Sequence, residues 1–512
     1  MAGSRHFALD LLTAATASDA MAVISEVEAT WDVGWKSHGP AQNYGLVYSQ
    51  SPSPITSFAE PVVNSMDAVL MKRYREEHGE TYDPATGLVT ADDAVEALLG
   101  DEHDESITII ADGEGDYPNF IIKDTGEGQP REHFEERFLQ LAAGSQFKEG
   151  WPFVQGRFKM GGSAVLPHSE EGLKLIISAA YDQPQQWSWS IVRNNRSEAQ
   201  YEYLTRGGEI PIFDGEVRGR RTGTFVKVFE YDAGSKSNVT STFVRDLNRV
   251  LIDPAIFVDV RETRDYAGAK SSTLGGIFNR LDQPNLQRHL TFDQTVYADF
   301  GEPFGEREVR LILFKSDQEI GSSDDLSKST KQRLVRPSLH QDGAVFYMVN
   351  GQAHARERGS FLTGKRRCQL SYTGRDMLVF VDLSDFADKT KHDLADFVDL
   401  FAASRDRLTQ KPIADQLRDG VEEAITAFEP LQEEEQRRRQ SLVRQEQDEQ
   451  TTEMLQSLLD RNPNIRRYFD TGDRLRAPGG DTKDPEVEYN SPFLPDEFAI
   501  ITSITKEEVK TW

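Results

Sequence analysis

The chain of 512 residues contains one cysteine, Cys368. This excludes an intramolecular disulfide framework and any multi-cysteine metal site, and it leads us to expect a reducing, cytoplasmic compartment. Long apolar runs are also missing. Nothing approaches the roughly 20 residues of a membrane-spanning helix, so no membrane is expected as a partner. Asp10 and Asp19 interrupt the Ala-rich N-terminus, and no basic stretch precedes an unbroken apolar core, so no secretory signal is expected. Basic charge is scarce: 58 Lys and Arg stand against 85 Asp and Glu, for a net charge of −27. A field of that sign repels nucleic acid unless a local basic face overrides it.

Against these absences, 38% of the residues are hydrophobic. That is enough to bury sizeable cores, and the length suggests two to four domains. Helices are predicted over the first thirty residues, with Ser18-Asp19 capping a segment striped by Val23, Ile24 and Val27. Residues 36–57 read as loop and 58–75 as helix. Residues 76–105 read as an acidic insertion with a short helix at 91–99. Strands are predicted at 107–110, 120–122, 173–177, 187–192 and 224–229, and a helix at 131–142 that puts Phe134, Phe138 and Leu141 on one face. The mixture predicts an α/β (α+β) sandwich over 1–232.

A second α/β domain is expected over 233–428. Its first helix is striped by Phe243, Leu247, Val250 and Leu251 and stops before Pro254. Strands at 255–260, 309–314, 344–349 and 377–382 and helices at 391–407 and 412–429 complete it. Over 429–462 the composition shifts to Glu, Gln and Arg, a charged helical extension. Leu431, Leu442, Val443, Met454, Leu455, Leu458 and Leu459 are too sparse for strict heptads, so the reading is a solvated helix, with a coiled-coil dimer arm as the alternative. Residues 463–512 read as an extended tail with one strand at 498–502.

Four short patterns carry chemistry. In Phe58–Met71, Glu60 and Asn64 are four apart and Asp67 three further on, one stripe of a helix. A base, an amide oxygen and a second carboxylate on one stripe suit Mg²⁺ chemistry; an ordinary amphipathic helix with a polar outer face is the bland alternative. In Ile121–Gln129, a strand runs into Asp124, followed by Gly126 and Gly128. A carboxylate there can accept from an exocyclic amine and the glycines admit a ligand closely, although Asp112-Gly113-Glu114-Gly115 shows how cheaply the pattern arises. In Gln155–Ala164, Gly161-Gly162 exposes amides beside Lys159 and Ser163, a cradle for phosphate oxygens that lacks the spacing of a P-loop. In Thr222–Val228, Thr224 opens a strand, either as a ligand-facing hydroxyl or as a plain β-former.

Together, and in this order, the four patterns resemble the GHKL ATPases: type II topoisomerases, the ninety-kilodalton heat-shock chaperone, histidine kinases, mismatch-repair ATPases and MORC proteins. The resemblance covers roughly residues 55–230 and implies a Bergerat-fold ATP site with ATP and Mg²⁺ as ligands. It implies Glu60 as the base that activates water, Asn64 as the metal ligand and Asp67 as support for that shell or a water-mediated nucleotide contact. It assigns Asp124, Gly126, Gly128 and Thr224 to the adenine side. Ala143–Lys148 looks like the serine-lysine lid segment of the mismatch-repair branch, which places Ser145 and Lys148 near the phosphates. Gly161, Gly162 and Ser163, with Lys159, would close the lid. The lid end departs from the commoner G-x-x-G-x-G. Residues 235–425 hold the place of the transducer domain, in which Phe346–Gly351 looks like the strand ending in Asn-Gly.

The resulting expectation is a Mg-dependent ATPase whose lid closure drives homodimerisation, a switch or clamp. Its layout is similar to that of bacterial GHKL proteins found in phage-defence loci, which points to antiviral defence and to a protein partner encoded nearby. The alternatives are an ATP-sensing interaction protein without turnover, a chaperone, and a nucleic-acid clamp using Arg218, Arg220, Arg221 and the Lys365-Arg366-Arg367 cluster. A histidine kinase is disfavoured, because His6 and His38, the only upstream histidines, lie in no convincing hairpin.

Overall fold

The computed structural model describes residues 2–40, 43–49, 53–100, 106–140, 148, 150–156, 161–234, 238–264, 270–316, 319, 345–384 and 407–461. They fall into two units, Met1–Arg439 and Gln440–Trp512. The described part of the second unit, residues 440–461, belongs to the helix Glu429–Arg461 and is exposed except at Leu459. The expected strand at 498–502 and most of the expected helix at 391–407 lie outside the described residues.

The first unit is a mixed α/β structure with two sheets. The first contains β1 (Val33–Ser37), β2 (Ile107–Asp112), β3 (Asn119–Asp124), β4 (Lys174–Ala179), β5 (Gln186–Asn195), β6 (Gln200–Arg206), β7 (Ile212–Asp214), β8 (Gly223–Val228), β9 (Val258–Glu262) and β10 (Lys270–Leu274). Its order is β1-β6-β5-β4-β8-β3-β2-β9-β10, with β7 paired to β5. All pairings are antiparallel except β2–β9. The sheet therefore takes in two strands beyond residue 233, and the division expected at 232 falls within it. The second sheet contains β11 (Leu290–Asp299), β12 (Glu306–Phe314), β13 (Val345–Val349), β14 (Gln352–Glu357) and β15 (Met377–Asp382), in the order β11-β12-β15-β13-β14.

Strand alternation sends neighbouring side chains to opposite faces of the first sheet. Ile121, Leu175, Ile177, Trp189 and Phe225 pack with Phe7, Leu11, Ile24 and Val27 of α1 (Ala2–Thr13) and α2 (Ala17–Thr30). Phe120, Ile122 and Val228 face the other way, onto Phe58, Val62, Met66 and Leu70 of the long helix between β1 and β2. Thr16, rather than Ser18, caps α2: its hydroxyl accepts the Asp19 N–H while Asp19 reaches back to the Thr16 N–H.

Between β1 and β2, the stretch expected as loop contains α3 (Tyr44–Ser49), and the site helix α4 (Pro54–His78) begins earlier than its apolar pattern predicts. Pro54 explains the early start, since a missing N–H costs nothing in a first turn. Among the described residues of the helix expected at 131–142, Arg131–Phe134 are α-helical; the chain then widens into a π turn and leaves in extended conformation at Gln140. Leu141 lies outside the described residues.

Strands missed in the sequence include β1, β10, β11 and β14, which form the sheet edges and have polar faces. Against the second sheet lies the helix Lys411–Ala427, through Leu417, Val421 and Ile425. Arg438 holds the start of the following helix: it is buried and donates to Asp376 at 2.9 Å, Glu434 at 2.7 Å and the Phe314 carbonyl at 2.7 Å. Among the described residues no helix is long and apolar enough to cross a membrane.

The hinge of the first core is an aromatic cluster. Phe120 lies 4.7 Å from Phe58, 4.5 Å from Phe243 and 5.8 Å from Tyr231, ring centre to ring centre. Phe120→Ala removes the member common to all three contacts and should cost about 3–5 kcal/mol. Urea unfolding followed by tryptophan fluorescence measures this; a change below about 1 kcal/mol would show the cluster is not integral.

Candidate functional site

Helix α4 is built to be buried rather than amphipathic. Phe58, Val62, Val63, Met66 and Leu70 are fully buried on its packing side, yet Glu60 and Asp67 on the polar stripe are buried too, and Asn64 alone of the three is exposed. A polar outer face would leave both carboxylates in water, so the ordinary amphipathic reading fails for this stripe. The helix ends at Gly79, with Arg75 and His78 in its last turn, where cations suit the dipole.

Asp67 is 0% exposed, and its partners come from distant segments. The N–H groups of Gln155 and Gly156 donate to its two oxygens at 2.7 and 2.9 Å, and the Lys148 ammonium lies 2.6 Å away. The same ammonium donates to Asn64 Oδ1 at 2.8 Å. Lys148 thus bridges the amide and the carboxylate of the stripe. At Gly156 an added Cβ would lie 2.7 Å from the Asp67 carboxylate, so the turn approaches as closely as backbone allows.

Asp124 ends β3 on the α4 face. Ser65, next to Asn64 on α4, donates its hydroxyl to Asp124 at 3.1 Å, and the Gly126 N–H donates at 2.9 Å. Burial pushes the Asp124 carboxyl up to about 6, against the opposing hydrogen bonds from Gly126, Ser65 and Thr224. The loop that follows is pinned twice. A Cβ at Gly126 would sit 2.6 Å from the Ala68 Cβ, and Gly128, at φ +61°, leaves no room for a Cβ beside the Ala179 carbonyl. The look-alike Asp112–Gly115 segment, in contrast, opens the β2–β3 turn and runs to the surface at Glu114 and Gly115.

Thr224 is the register partner of Asp124 on β8, and Ser178 on β4 is the partner of Thr224. Ser188 on β5 continues the row. Four small polar residues therefore cross four strands on the sheet face that α4 covers, an expensive placement for groups with no ligand to meet. Ser178 and Ser188 escaped the sequence reading because a single serine beside apolar strand residues carries no local signal. Beside the row, Glu127 is buried between Arg75 and Arg137, and burial pushes its carboxyl up to about 7.

At the other end of β4 sits the glycine-rich segment. Ser163 Oγ lies 2.7 Å from His38 Nε2, and Lys174 donates to the Gly162 carbonyl at 2.8 Å. Burial, reinforced by Lys174, holds the His38 imidazole well below its ordinary value, and burial lowers the Lys174 ammonium to about 7. Neither residue belongs to the motifs read from sequence; what marks Lys174 is a cation inside a strand pattern. Gly161 opens the same short turn. Ser145 and Lys159 lie outside the described residues.

The second sheet meets the site at one turn. β13 ends in Asn350-Gly351, both at positive φ, the two-residue hairpin that Asn-Gly favours. Gln155 donates its amide to the Asn350 carbonyl at 3.0 Å, and Gln352 donates to the Gln155 carbonyl at 3.0 Å. The residue whose N–H holds Asp67 is thus also the one that meets the hairpin. Of the basic cluster, Lys365 and Arg366 are exposed, while Arg367 pairs with Asp419 at 2.6 Å and Glu422 at 3.5 Å on the helix Lys411–Ala427.

In comparisons with known proteins, no family model and no curated protein matches the chain.

Removing the Asp67 carboxylate would leave two backbone N–H groups and one ammonium without their acceptor. Asp67→Ala should cost about 3–5 kcal/mol and open the 150–156 segment to protease. Unfolding by denaturant and limited proteolysis check both; wild-type values in both would mean that the carboxylate does not hold the turn.

Proposed function

We propose that the chain is a GHKL-type, Bergerat-fold ATPase that binds ATP on the α4 face of its first sheet and hydrolyses it with Mg²⁺. The observation that carries this reading is convergence on α4: Asp124 accepts from Ser65, Gly126 packs on Ala68, and Lys148 reaches Asn64 and Asp67. Segments up to 84 positions apart in the chain meet within two turns of one helix.

In this reading Asp124, Thr224, Gly126 and Gly128 receive the adenine, and Asn64 offers its amide oxygen to the metal. The donor set fits Mg²⁺ bound with a nucleotide. Among the described residues no three His, Cys, Asp or Glu side chains form a cage of their own, whereas Mg²⁺ characteristically takes one or two protein oxygens and completes its shell with phosphates and water. When bound, the metal neutralises charge on the transferred phosphoryl group. Glu60 takes the proton of the attacking water. Lys148 and Lys159 neutralise phosphate charge, Ser145 donates its hydroxyl to a phosphate oxygen, and the amides of Gly161, Gly162 and Ser163 cradle the phosphates. Asp67 holds Gln155 and Gly156 in place behind the metal ligand. ATP-driven closure then favours a homodimer. His38 is unsuited to be a phosphoacceptor, because it is buried against Ser163, which weighs against a histidine kinase.

Glu60→Ala should lower turnover by about 10²–10⁴ while ATP affinity stays within about threefold. Phosphate release and a binding titration read the two separately, and turnover that survives the substitution would remove Glu60 from the role of base.

Asp124 supplies a pH signature. Its ionised form is the acceptor for the amine, and burial raises its carboxyl to about 6. ATP affinity should therefore be flat above pH 7 and fall as pH drops through 6, approaching about tenfold per unit. Asp124→Asn should be weak at every pH. Calorimetric titration between pH 5 and 8 decides this, and a wild-type affinity flat across the range would sink the adenine assignment.

A further inference from the structure

We propose that Ser178 is a specificity-determining positioning residue: it fixes the Thr224 hydroxyl as a hydrogen-bond donor to the purine ring nitrogen beside the amine that Asp124 accepts. The inference rests on the reading of Asp124 and Thr224 as the base pocket, and it adds a residue that none of the motifs contains.

Hydrogen-bond polarity decides which way the Ser178 hydroxyl points. Ser178 is 0% exposed, so its hydroxyl hydrogen cannot turn to water. The Gln129 N–H donates to Ser178 Oγ at 2.9 Å, which commits that oxygen as an acceptor. Two acceptors lie within reach of the Ser178 hydrogen: Thr224 Oγ1 at 3.0 Å and the Gly223 carbonyl at 3.5 Å. The second is at the outer limit for a hydrogen bond, and a buried donor left unsatisfied costs about 1–3 kcal/mol. The arrangement that satisfies every group has Ser178 donating to Thr224. Thr224 is then an acceptor towards Ser178, and its own hydrogen is left for the pocket.

Cross-strand register supplies the second half. Thr224 and Asp124 are directly opposed on β8 and β3 and share a face, so their Cβ atoms are about 5 Å apart. A carboxylate acceptor thus stands beside a hydroxyl donor. Adenine offers the complement, an amine donor beside the acceptor N1. Guanine offers the reverse, a carbonyl oxygen beside an N1–H, and would set like against like at both positions. The chain Gln129 N–H to Ser178 to Thr224 to ring nitrogen runs in one direction, and its first donor belongs to the same glycine loop as Asp124.

The test compares ATP with 1-deaza-ATP, which lacks only the ring nitrogen, by equilibrium titration of the full chain. Wild type should bind the analogue about tenfold more weakly than ATP. In Ser178→Ala that preference should shrink to about twofold or less, and in Thr224→Val it should vanish. Adding Ser178→Ala to Thr224→Val should change the ratio no further, because the end of the relay is already gone. Ser178→Cys, close in volume with a weak donor, provides the same readout if the alanine variant folds poorly. A purely structural role would weaken ATP and analogue by one common factor, leaving the ratio at its wild-type value; that result overturns the inference while leaving the ATP pocket in place. Wild type that binds neither nucleotide overturns the pocket itself, and the inference with it.

Discussion

A buried carboxylate organises this molecule. Asp67 is on a helix packed against the centre of a sheet, where an unpaired charge would cost several kcal/mol. No nearby residue of α4 supplies its partners. They come from Gln155, Gly156 and Lys148, more than 80 positions along the chain. The fold therefore cannot satisfy Asp67 without bringing the segment after β3 back over α4. In doing so it sets Lys148 against Asn64 and brings the Gly156 backbone to the edge of the same pocket. One charge that must be paired thus fixes the approach of three segments, and the geometry proposed to meet a nucleotide follows from a requirement of stability.

The sheet face beneath α4 obeys a related constraint. On the opposite face, β3, β4, β5 and β8 present Ile121, Ile177, Trp189 and Phe225 to α1 and α2, a mainly apolar core in which the buried Lys227 of β8 is held by the Leu12 and Ala14 carbonyls. Beneath α4, the same strands carry Asp124, Ser178, Ser188 and Thr224 in one register row. A core designed for stability alone would fill that row with aliphatic side chains. Here Asp124, Ser178 and Thr224 of the row are satisfied internally, through Ser65, Gly126, Gln129 and the Ser178–Thr224 contact, at the cost of apolar burial. Such a row is preorganised: its dipoles are already oriented before a ligand arrives, which is where a binding site differs from a solvated polar patch.

These two layers were not equally legible. The α4 stripe was readable because helical spacing is local: Glu60, Asn64 and Asp67 announce a common face without any knowledge of the sheet. Asp124 and its glycines were readable because a strand running into an acidic turn is also local. The register row was not. That Ser178 stands opposite Thr224 depends on the pairing of β4 with β8, some 46 positions away, and no local pattern encodes it. His38 and Lys174 were missed for the same reason. The edge strands β10 and β11 were missed because they bury little apolar surface, and β14 because Gln352, His354 and Arg356 alternate with small alanines in it. The division expected at 232 rests on the onset of a new helix stripe, and the first sheet runs across it, since β9 pairs with β2.

The role of Gln155 links the two sheets. Its N–H serves Asp67, its side-chain amide serves the Asn350 carbonyl, and its own carbonyl receives Gln352. A shift of Gln155 large enough to release Asp67 must break its bonds to the β13–β14 hairpin or carry the hairpin along. That hairpin is stiff: Asn350 and Gly351 are both in the left-handed region and are flanked by paired strands. A Cβ at Gly351 would meet the Asp253 carbonyl, so the turn is also packed tightly from outside. Motion at Asp67 is therefore more cheaply passed to the second sheet than absorbed at the turn. Coupling between the proposed nucleotide site and the second sheet then needs no dedicated relay. It follows from one glutamine whose N–H is committed to α4 and whose side chain and carbonyl are committed to the β13–β14 hairpin.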